Sequence, residues 1–170
     1  MQYRNDISQA YLKQLFSYDP ETGVFRWLTP KAKRIQVGDI AGSISKSGHR
    51  YIEIDGHAYL AHRLAWLYVH GVWPEGRLDH RDRVGDNNRI SNLRPATQAQ
   101  NMGNRTRGRN NKSGYKGVSV WRQDGREAWQ AKIMVGKKQR HLGLFPTPEA
   151  AFEAYMAAAK EVWGEFATEG

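Results

Sequence analysis

The sequence predicts an α+β fold built from two small modules, and three observations support that prediction. The chain has 170 residues, of which 39% are hydrophobic and 25% charged, as expected for one soluble domain or two domains of roughly 60 to 100 residues each. Short runs rich in β-branched and aromatic residues are interspersed with runs that have helical spacing. The net charge of +9 is concentrated in one segment near the middle of the chain.

The segment 105–140 contains 11 Lys and Arg residues but only two acidic ones, whereas residues 1–104 and 141–170 carry net charges of +4 and −4. Its densest part, residues 105–112, has no acidic residue, so we expect a basic linker there, with a solvated surface loop as the alternative. Blocks of like charge often bind nucleic acid, which makes an anionic partner the first expectation.

Several classes of protein are excluded or disfavoured by composition. The chain has no cysteine, which excludes disulfides, thiol nucleophiles and cysteine-bound zinc. The longest apolar run, residues 64–69, is far shorter than the ~20 residues that span a bilayer, and residues 1–6 lack the apolar core of a signal peptide. We therefore expect no membrane partner and a cytoplasmic location.

The first half predicts helices and hairpins in alternation. Residues 8–16 have an apolar stripe after a possible Ser8 cap, which predicts a short helix. Turn formers within residues 18–27 predict a hairpin, and residues 49–60 predict a second hairpin around an Asp-Gly turn. Helical spacing over residues 60–69, followed by Gly71, predicts a helix.

The second half predicts three strands and one long helix. Strand-like runs cover residues 115–121, 129–135 and 139–145, and hairpin signals at Asp124-Gly125 and Gly136-Lys137 separate them. Thr147, Pro148 and Glu149 form a helix start, after which a helix of about 17 residues is expected. The helix would cover one face of a three-stranded antiparallel sheet. Its predicted apolar stripe consists of Phe152, Tyr155, Ala159, Val162, Trp163 and Phe166.

Between the two halves, residues 78–104 are crowded with Asp, His and Asn side chains that suit no core. Asp79 and His80 are adjacent, Asn92 follows twelve residues after the histidine, and Asn101 follows nine residues later. Neighbours on a strand point to opposite faces, so Asp79 and His80 can flank one target. Carboxylate and amide oxygens suit Mg²⁺ or Mn²⁺, and a neutral histidine can take a proton from water. These are the parts of a one-metal phosphodiester hydrolase.

This segment resembles the HNH endonuclease family, and most of all its phage-type homing endonucleases, over about residues 49–104. The residues that carry the resemblance are Asp79-His80, Asn87-Asn88, Asn92-Leu93-Arg94, Gln100-Asn101 and, upstream, His62-Arg63-Leu64. The resemblance implies a ββα-metal nuclease module with N-terminal hairpins. It makes His80 the general base, Asp79 and Asn101 the metal ligands, and Asn92 a residue that braces the loop. Arg94 would lie near the phosphates.

The same resemblance implies double-stranded DNA as the partner, a 5′ phosphate on the product, and no small-molecule cofactor. One Mg²⁺ or Mn²⁺ per active site is expected and zinc is not. If a phage encodes the protein, its location would be the cytoplasm of the bacterial host. His62 could line the cleft or form a core hydrogen bond, while His49, His57 and His70 are expected to be structural or on the surface. Asn87 and Asn88 are expected to shape the loop.

Residues 113–168 resemble the Apetala-two or ethylene-response-factor DNA-binding domain, whose sheet lies in the major groove. The resemblance rests on Tyr115-Lys116-Gly117-Val118, Trp129, Leu142-Gly143, Phe145, Ala150-Ala151, Ala154-Tyr155 and Gly164-Glu165-Phe166-Ala167. Arginine is usual in the family where this chain has Ser119 and Met134, and tryptophan where it has His141, so base specificity does not transfer. The candidate DNA contacts are Arg105, Arg107, Arg109, Lys116, Trp121, Arg122, Trp129, Lys132 and Arg140. For Trp129, packing against the helix is an equal alternative.

The sequence thus predicts a nuclease module over residues 1–104, a basic linker over 105–112 and a DNA-binding domain over 113–168. The leading hypothesis is a metal-dependent DNA endonuclease that nicks or cuts. A non-catalytic DNA-binding regulator with a vestigial nuclease module is the main alternative. A weaker third hypothesis is a protein that binds or cleaves RNA.

Overall fold

The computed structural model describes residues 4–30, 32–108, 110–136 and 138–169. Two compact units make up the chain, Met1–Ala96 and Thr97–Gly170. The first module was expected to end after residue 104, whereas the units divide after Ala96. The reason is that the helix Gln98–Gly103 packs with the C-terminal helix: a Cβ added at Gly103 would come within 2.7 Å of the Trp163 ring.

Among its described residues, the first unit has two helices and three small antiparallel sheets. Its elements in order are α1 (Gln9–Leu15), β1 (Phe16–Asp19), β2 (Val24–Trp27), β3 (Ser43–Ile44), β4 (Arg50–Ile54), β5 (His57–Leu60), α2 (Ala61–His70), β6 (Arg77–His80), a 3-10 turn (Ile90–Asn92) and β7 (Leu93–Ala96). The sheets are β1-β2, β3-β4-β5 and β6-β7.

Local sequence signals explain where these elements begin and end. The Ser8 side chain accepts a hydrogen bond from the backbone N–H of Tyr11 and so caps α1, as predicted. The turn between β4 and β5 has positive φ at Asp55 and Gly56, which is typical of an Asp-Gly hairpin. Gly71 ends α2 in the left-handed conformation. The predicted helices and hairpins of the first half are confirmed.

The core of the first unit joins the hairpins to α2. Leu12, Phe16, Phe25, Ile52 and Leu64 are all buried to within 1% of full burial. The removal of such apolar side chains from water is the main favourable contribution to the stability of a small domain. The core therefore fixes β1, β2 and β4 against α2. The same strands β1 and β4 also carry residues that contact the long loop between β6 and β7.

The strands β6 and β7 pair so that Asp79 lies opposite Arg94 and His80 opposite Leu93. The loop that joins them runs from residue 81 to the 3-10 turn, and α3 (Gln98–Gly103) follows β7. The chain therefore runs through strand, loop, strand and helix over residues 77–103. The helix, however, clusters with the second unit.

In the second unit, a three-stranded antiparallel sheet packs against one long helix. Beside α3, its elements are β8 (Val118–Gln123), β9 (Arg126–Val135), β10 (Lys138–Phe145), α4 (Pro148–Trp163) and a 3-10 turn (Gly164–Phe166). The sheet order is β10-β9-β8. The Thr147 side chain caps α4 and Pro148 is its first residue, as the sequence predicts.

The predicted apolar stripe of α4 forms much of the core of this unit. Tyr155, Ala159, Trp163 and Phe166 are buried, whereas Phe152 and Val162 are only partly so. They face Val118, Ala131 and Ile133 of the sheet.

One predicted strand begins later than expected. Residues 115–117 form turns instead of strand, because the Ser113 hydroxyl donates to backbone carbonyls of this segment and Gly117 takes a positive φ against the Tyr155 ring. Residues 105–108 and 110–112, which belong to the predicted linker, contain no helix or strand. Within the described ranges, no helix is long and apolar enough to cross a membrane.

Candidate functional site

Asp79 and His80 lie side by side at the end of β6, and both are buried, with 8% and 6% of their surfaces exposed. Arg94, the cross-strand neighbour of Asp79, donates from Nε to Asp79 Oδ2 at 2.9 Å. Both side chains of this ion pair are at least nine-tenths buried. The resemblance had placed Arg94 near the phosphates, but its guanidinium faces Asp79 instead.

The His80 ring lies beside an asparagine amide and two other histidine rings, and the carboxylates of Asp79 and Asp82 are close enough to favour its charged form. Its Nε2 lies 3.4 Å from Asn88 Oδ1, and its ring centroid lies 5.0 Å from that of His62 and 5.6 Å from that of His49. Burial lowers the pKa of His80 below its usual value, and His49 acts in the same direction, while the hydrogen bond with Asn88 opposes them. His80 is therefore a neutral imidazole at pH 7, the form that can accept a proton.

Asn92 ties the two ends of the loop together. Its Oδ1 accepts from the backbone N–H of Asp82 at 3.1 Å, and its Nδ2 donates to Asp82 Oδ1 at 2.9 Å and to the Asn87 carbonyl at 2.8 Å. Asp82 also accepts from the backbone N–H of Val84. These three hydrogen bonds connect Asn92 to both Asp82 and Asn87, so its side chain links the two ends of the loop.

Residues of the N-terminal hairpins also contact the loop between β6 and β7 and hold it in place. Arg50 on β4 makes two hydrogen bonds to Asp86, at 2.7 and 2.9 Å, in the paired geometry that suits a guanidinium and a carboxylate. The Tyr18 hydroxyl on β1 donates to the Asn88 carbonyl at 2.7 Å. Gly23, in the β1-β2 turn, lies so close that a Cβ there would clash with the backbone of Asn88 and Arg89.

Sequence reasoning did not identify these supporting residues. Tyr18 and Asn88 are 70 residues apart in the chain, and Arg50 and Asp86 are 36 apart. Neither periodicity nor motif spacing reports contacts over such separations. The one available signal is Gly23, because a glycine in a turn can indicate close approach of another backbone as well as a positive φ.

His62 and His49 complete a group of three histidines with His80. His62 is 7% exposed, and its Nδ1 has no hydrogen-bond partner among the described residues. Burial, together with the two neighbouring histidines, lowers the pKa of His62 well below its usual value. His49, expected to be structural or on the surface, is half-buried beside the other two rings. The His62 ring therefore lies against the His80 ring, edge to face.

Asn101, the other expected metal ligand, lies on α3 in the second unit. Its Oδ1 is buried and has no hydrogen-bond partner within the described ranges. An amide oxygen in that condition fits an oxygen-loving cation, which would supply the missing interaction. Among the described residues, no three His, Cys, Asp or Glu side chains come together to hold a metal.

The C-terminal sheet has two faces, and they divide the candidate DNA contacts. Cross-strand partners share a face, so Trp129 and Arg140, which pair with Val120 and Ile133, lie on the side covered by α4. Trp121 and Lys132 lie on the open side, where Lys132 pairs with His141. This arrangement favours the packing interpretation of Trp129.

The remaining basic candidates differ in their accessibility. Lys116 is buried and its Nζ donates to the Gly103 carbonyl at 2.5 Å, so its ammonium group is not presented to solvent. Arg122 pairs with Glu127 at 2.8 Å, and Arg140 Nη1 lies 3.9 Å from Glu161. Arg105 and Arg107 are exposed, and Arg109 lies outside the described residues.

Three further arginines, not chosen from the sequence, are exposed on the loop beside His80. They are Arg81, Arg83 and Arg89. They lie within the first unit.

Comparison with known proteins supports the HNH resemblance. Residues 59–103, which contain Asp79, His80, Asn92 and Asn101, match a family model described as HNH endonuclease. The chain is 30% identical over 125 residues to an uncharacterized HNH endonuclease of Acanthamoeba polyphaga mimivirus, in a match covering 73% of this chain and 63% of that relative. The chain thus spans less than two thirds of the relative's length. No solved structure matches. The Apetala-two resemblance of residues 113–168 stays a prediction.

Proposed function

We propose, from the match of residues 59–103 to HNH endonucleases, that the protein is a metal-dependent DNA endonuclease that hydrolyses phosphodiester bonds. The observation that carries the proposal is the buried, neutral His80 next to the Asp79 carboxylate at the end of β6. A neutral imidazole can act as the general base, and a carboxylate can hold a divalent metal ion, in the hydrolysis of a phosphodiester.

In the proposed reaction, His80 takes a proton from the water that attacks phosphorus. The bond between phosphorus and the 3′ oxygen breaks, the departing 3′ oxygen takes up a proton from solvent, and the phosphate stays on the 5′ oxygen of the downstream nucleotide. Burial of His80 keeps it unprotonated and excludes competing water, while the loop braced by Asn92 holds the imidazole in place. Positioning of this kind contributes to the rate only if the loop stays rigid.

Asp79 and Asn101 are the proposed oxygen ligands for Mg²⁺ or Mn²⁺. When bound, the ion would stabilise the negative charge that develops on the phosphate and on the departing oxygen. Arg94 is assigned to Asp79 instead of to DNA, because its guanidinium holds that carboxylate in one orientation. Carboxylates that bind metals are commonly held in place by a hydrogen bond from a neighbouring residue.

For DNA binding we propose the exposed basic residues and one aromatic residue of the open sheet face. They are Arg81, Arg83, Arg89, Arg105, Arg107, Trp121 and Lys132. Lys116 and Trp129 are not among them. The Lys116 ammonium is buried and hydrogen-bonded to the Gly103 carbonyl, and Trp129 lies on the helix side of the sheet. Phosphate contacts would supply affinity with little sequence preference.

Supercoiled plasmid DNA tests the proposal directly. Purified protein with Mg²⁺ or Mn²⁺ should convert it to open-circular or linear product, and EDTA should stop the reaction. A chain with one HNH segment has one active site, so a monomer would cut one strand per encounter, and open-circular product should form first. No conversion with either metal would refute the proposal.

A homing-type role is a narrower proposal. It follows from the resemblance to phage homing endonucleases and predicts cleavage at a discrete position in DNA that surrounds the coding region of this protein. Mapping the cut on both strands of that DNA would identify target and strand together. Uniform cutting without a preferred position would contradict the homing-type role and indicate a nonspecific nuclease.

The second candidate is a DNA-binding regulator without catalysis, and one observation favours it. Asp79 is in a buried ion pair with Arg94, and such a pair could be a structural remnant of a lost metal site. This candidate predicts tight DNA binding with no cleavage in Mg²⁺ or Mn²⁺. The plasmid assay therefore separates the two functions.

A further inference from the structure

A cavity of about 570 Å³ opens in the first unit, lined by residues of α1, β2, β4, the loop between β2 and β3, and the turn between β4 and β5. Leu15, Trp27 and Ile54 line it and are buried members of the hydrophobic core of the unit. Ile35 and Ile40 line it from the loop after β2, and Ile40 is 51% exposed. The volume falls within the range of roughly 300 to 1,000 Å³ that is usual for small-molecule sites.

The cavity lies at the other end of the N-terminal strands from the loop between β6 and β7. The first residue of β4, Arg50, contacts that loop, whereas Glu53 and Ile54 at the far end of β4 line the cavity. The β1-β2 hairpin contacts the loop at its turn, and it lines the cavity with Trp27 at the end of β2. A ligand in the cavity would therefore not touch the candidate active site.

Among the described residues, every charged side chain that lines the cavity is acidic. These side chains are Asp39, Glu53 and Asp55. Asp39 Oδ2 accepts from the backbone N–H of Gln36 at 2.8 Å, and Asp55 Oδ2 accepts from the Tyr11 hydroxyl at 2.6 Å. Glu53 is exposed and has no hydrogen bond or ion pair with another described residue. Its carboxylate can therefore pair with a cation that enters the cavity.

This acidic lining differs from the charge of the chain as a whole. The net charge is +9, so the average field of the protein repels small cations. Lys33 and Arg34 belong to the same loop as Ile35, but they do not line the cavity. A preference for cations at this place must therefore come from the local carboxylates, to which Trp27 adds an aromatic surface that also attracts cations.

We propose that this cavity binds a small organic cation, an ammonium group carried on an apolar body. The apolar body packs against Trp27, Ile35 and Ile54, and the ammonium group pairs with Glu53. A small molecule fits better than a protein segment, because the feature is concave, whereas a stable protein interface buries at least about 1,200 Å² of surface. The ligand stabilises the first unit, because it binds the folded chain and not the unfolded one.

The first test compares tryptamine and 2-phenylethylamine, which are cations at pH 7, with their uncharged analogues tryptophol and 2-phenylethanol. Each is titrated into the intact ¹⁵N-labelled chain, and ¹H–¹⁵N correlation follows the indole signal of Trp27, assigned from the spectrum of Trp27→Phe. We expect saturable shifts of Trp27 and of the Gly42 and Gly56 amides, which also line the cavity. Each amine should bind about three- to fivefold more tightly than its alcohol, the ratio expected from one exposed ion pair.

Two results of this titration would overturn the proposal. One is binding of the alcohols as tight as that of the amines, which would remove the preference for a cation. The other is the absence of a saturable shift with all four compounds, which would remove the binding site.

Two pairs of variants identify the groups that bind. Glu53→Gln should make the amine and alcohol affinities equal, whereas Glu21→Gln, an exposed glutamate outside the cavity, should keep the wild-type ratio. Ile40→Ala should weaken all four compounds, and Ile44→Ala, similarly exposed but outside the cavity, should not. All four side chains are exposed, so each variant should fold. An unchanged ratio in Glu53→Gln would contradict the pairing of the ammonium group.

Thermal unfolding gives a second readout, and other occupants give results of their own. Saturating tryptamine should raise the Tm of the wild type more than tryptophol does, and the difference should vanish in Glu53→Gln. If the acetylated and amidated tetrapeptide Lys-Trp-Leu-Lys shifts the Trp27 signal while neither amine does, the cavity belongs to a protein partner and the proposal fails. It also fails if raising the protein concentration alone shifts Trp27, because a second copy of the chain then fills the cavity.

Discussion

Burial sets the chemistry of the histidines at the site. His62 and His80 are both more than nine-tenths buried, and burial is the largest cause of the lowered pKa of each. Charging an imidazole in an apolar interior costs free energy, so both remain neutral at pH 7. The same property that makes His80 a base should make the fold sensitive to acid.

His62 provides a prediction about stability and pH. Below about pH 6.5, His62 binds a proton in the unfolded chain but not in the native state. The free energy of unfolding should therefore fall as the pH drops, by up to about 1.4 kcal/mol per pH unit for each such histidine. Replacing His62 with Gln should remove about that much of the dependence between pH 5 and 6, measured by urea unfolding.

The exposed His57 supplies the control. His57→Gln should keep the wild-type dependence. Asp6, Asp19 and Asp82, whose pKa values are lowered, do not interfere, because the stability that they contribute is lost only below about pH 4. An identical slope in wild type and His62→Gln would contradict a neutral, buried His62.

Among single residues, the sequence motif selected Asp79, His80 and Asn92 as candidates, and their roles stay predictions. Their contacts were not predictable from the motif. It could not show that Arg94 faces Asp79, which depends on the register between β6 and β7. Nor could it show that the Asn88 amide lies beside His80, since an asparagine in a loop also fits a turn.

Among the elements, the β1-β2 hairpin is a support for the loop between β6 and β7. Gly23 is the closest point, with a φ of +75° and the backbone of Asn88 directly beside it. Gly38 has a similar φ of +91° but no atom within 4 Å of an added Cβ. Comparing substitutions at these two glycines therefore distinguishes the cost of the left-handed backbone conformation from the cost of a steric clash.

Replacing each glycine with alanine should therefore give different results. Gly38→Ala should destabilise by about 1 to 2 kcal/mol, the cost of a left-handed conformation for a residue with a Cβ. Gly23→Ala should lose roughly 1 to 3 kcal/mol more because the Cβ must displace the loop, and its DNA cleavage should fall as well. Calorimetric or urea unfolding gives the comparison, and equal losses would show that the hairpin does not press on the loop.

The two faces of the C-terminal sheet give a prediction about DNA binding. Lys132 lies on the open face, and Arg140 lies on the helix side within 3.9 Å of Glu161. Lys132→Ala should weaken binding to all duplex sequences and lower the salt slope by about 1, as measured by fluorescence anisotropy. Arg140→Ala should have little effect, and the reverse order would place DNA on the other side of the sheet.

Element boundaries were predictable where capping residues mark them. Ser8 and Thr147 both accept hydrogen bonds from the first turns of their helices, and both helices were expected. The strand β3 was not expected, because its two residues are both exposed and show no alternation. The late start of β8 was also missed, since side chains of the preceding turn bind the backbone there.

For the whole molecule, charge and chemistry lie in different parts of the chain. The segment 105–140 holds all of the net positive charge, while Asp79 and His80 lie in the first unit. Composition alone predicted an anionic partner. It could not predict that α3, with Asn101, would cluster with the second unit, because that depends on the packing of Gly103 against Trp163.

The charge distribution predicts a strong dependence of DNA affinity on salt. If roughly six cations neutralise phosphates, the plot of log affinity against log salt concentration should have a slope of about −5. Replacing Arg105 and Arg107 with Gln should reduce the slope by about 2. Titrations of duplex DNA between low and moderate salt would measure it, and a slope near zero would contradict binding through phosphates.

The most direct test of the central claim is cleavage of supercoiled plasmid by wild type, His80→Ala and His57→Ala in Mg²⁺. The account predicts that His80→Ala loses at least about 10²-fold in cleavage rate while still binding duplex DNA, and that His57→Ala, altered at an exposed position on β5, cuts like wild type. Undiminished cutting by His80→Ala would contradict the assignment of His80 as the base.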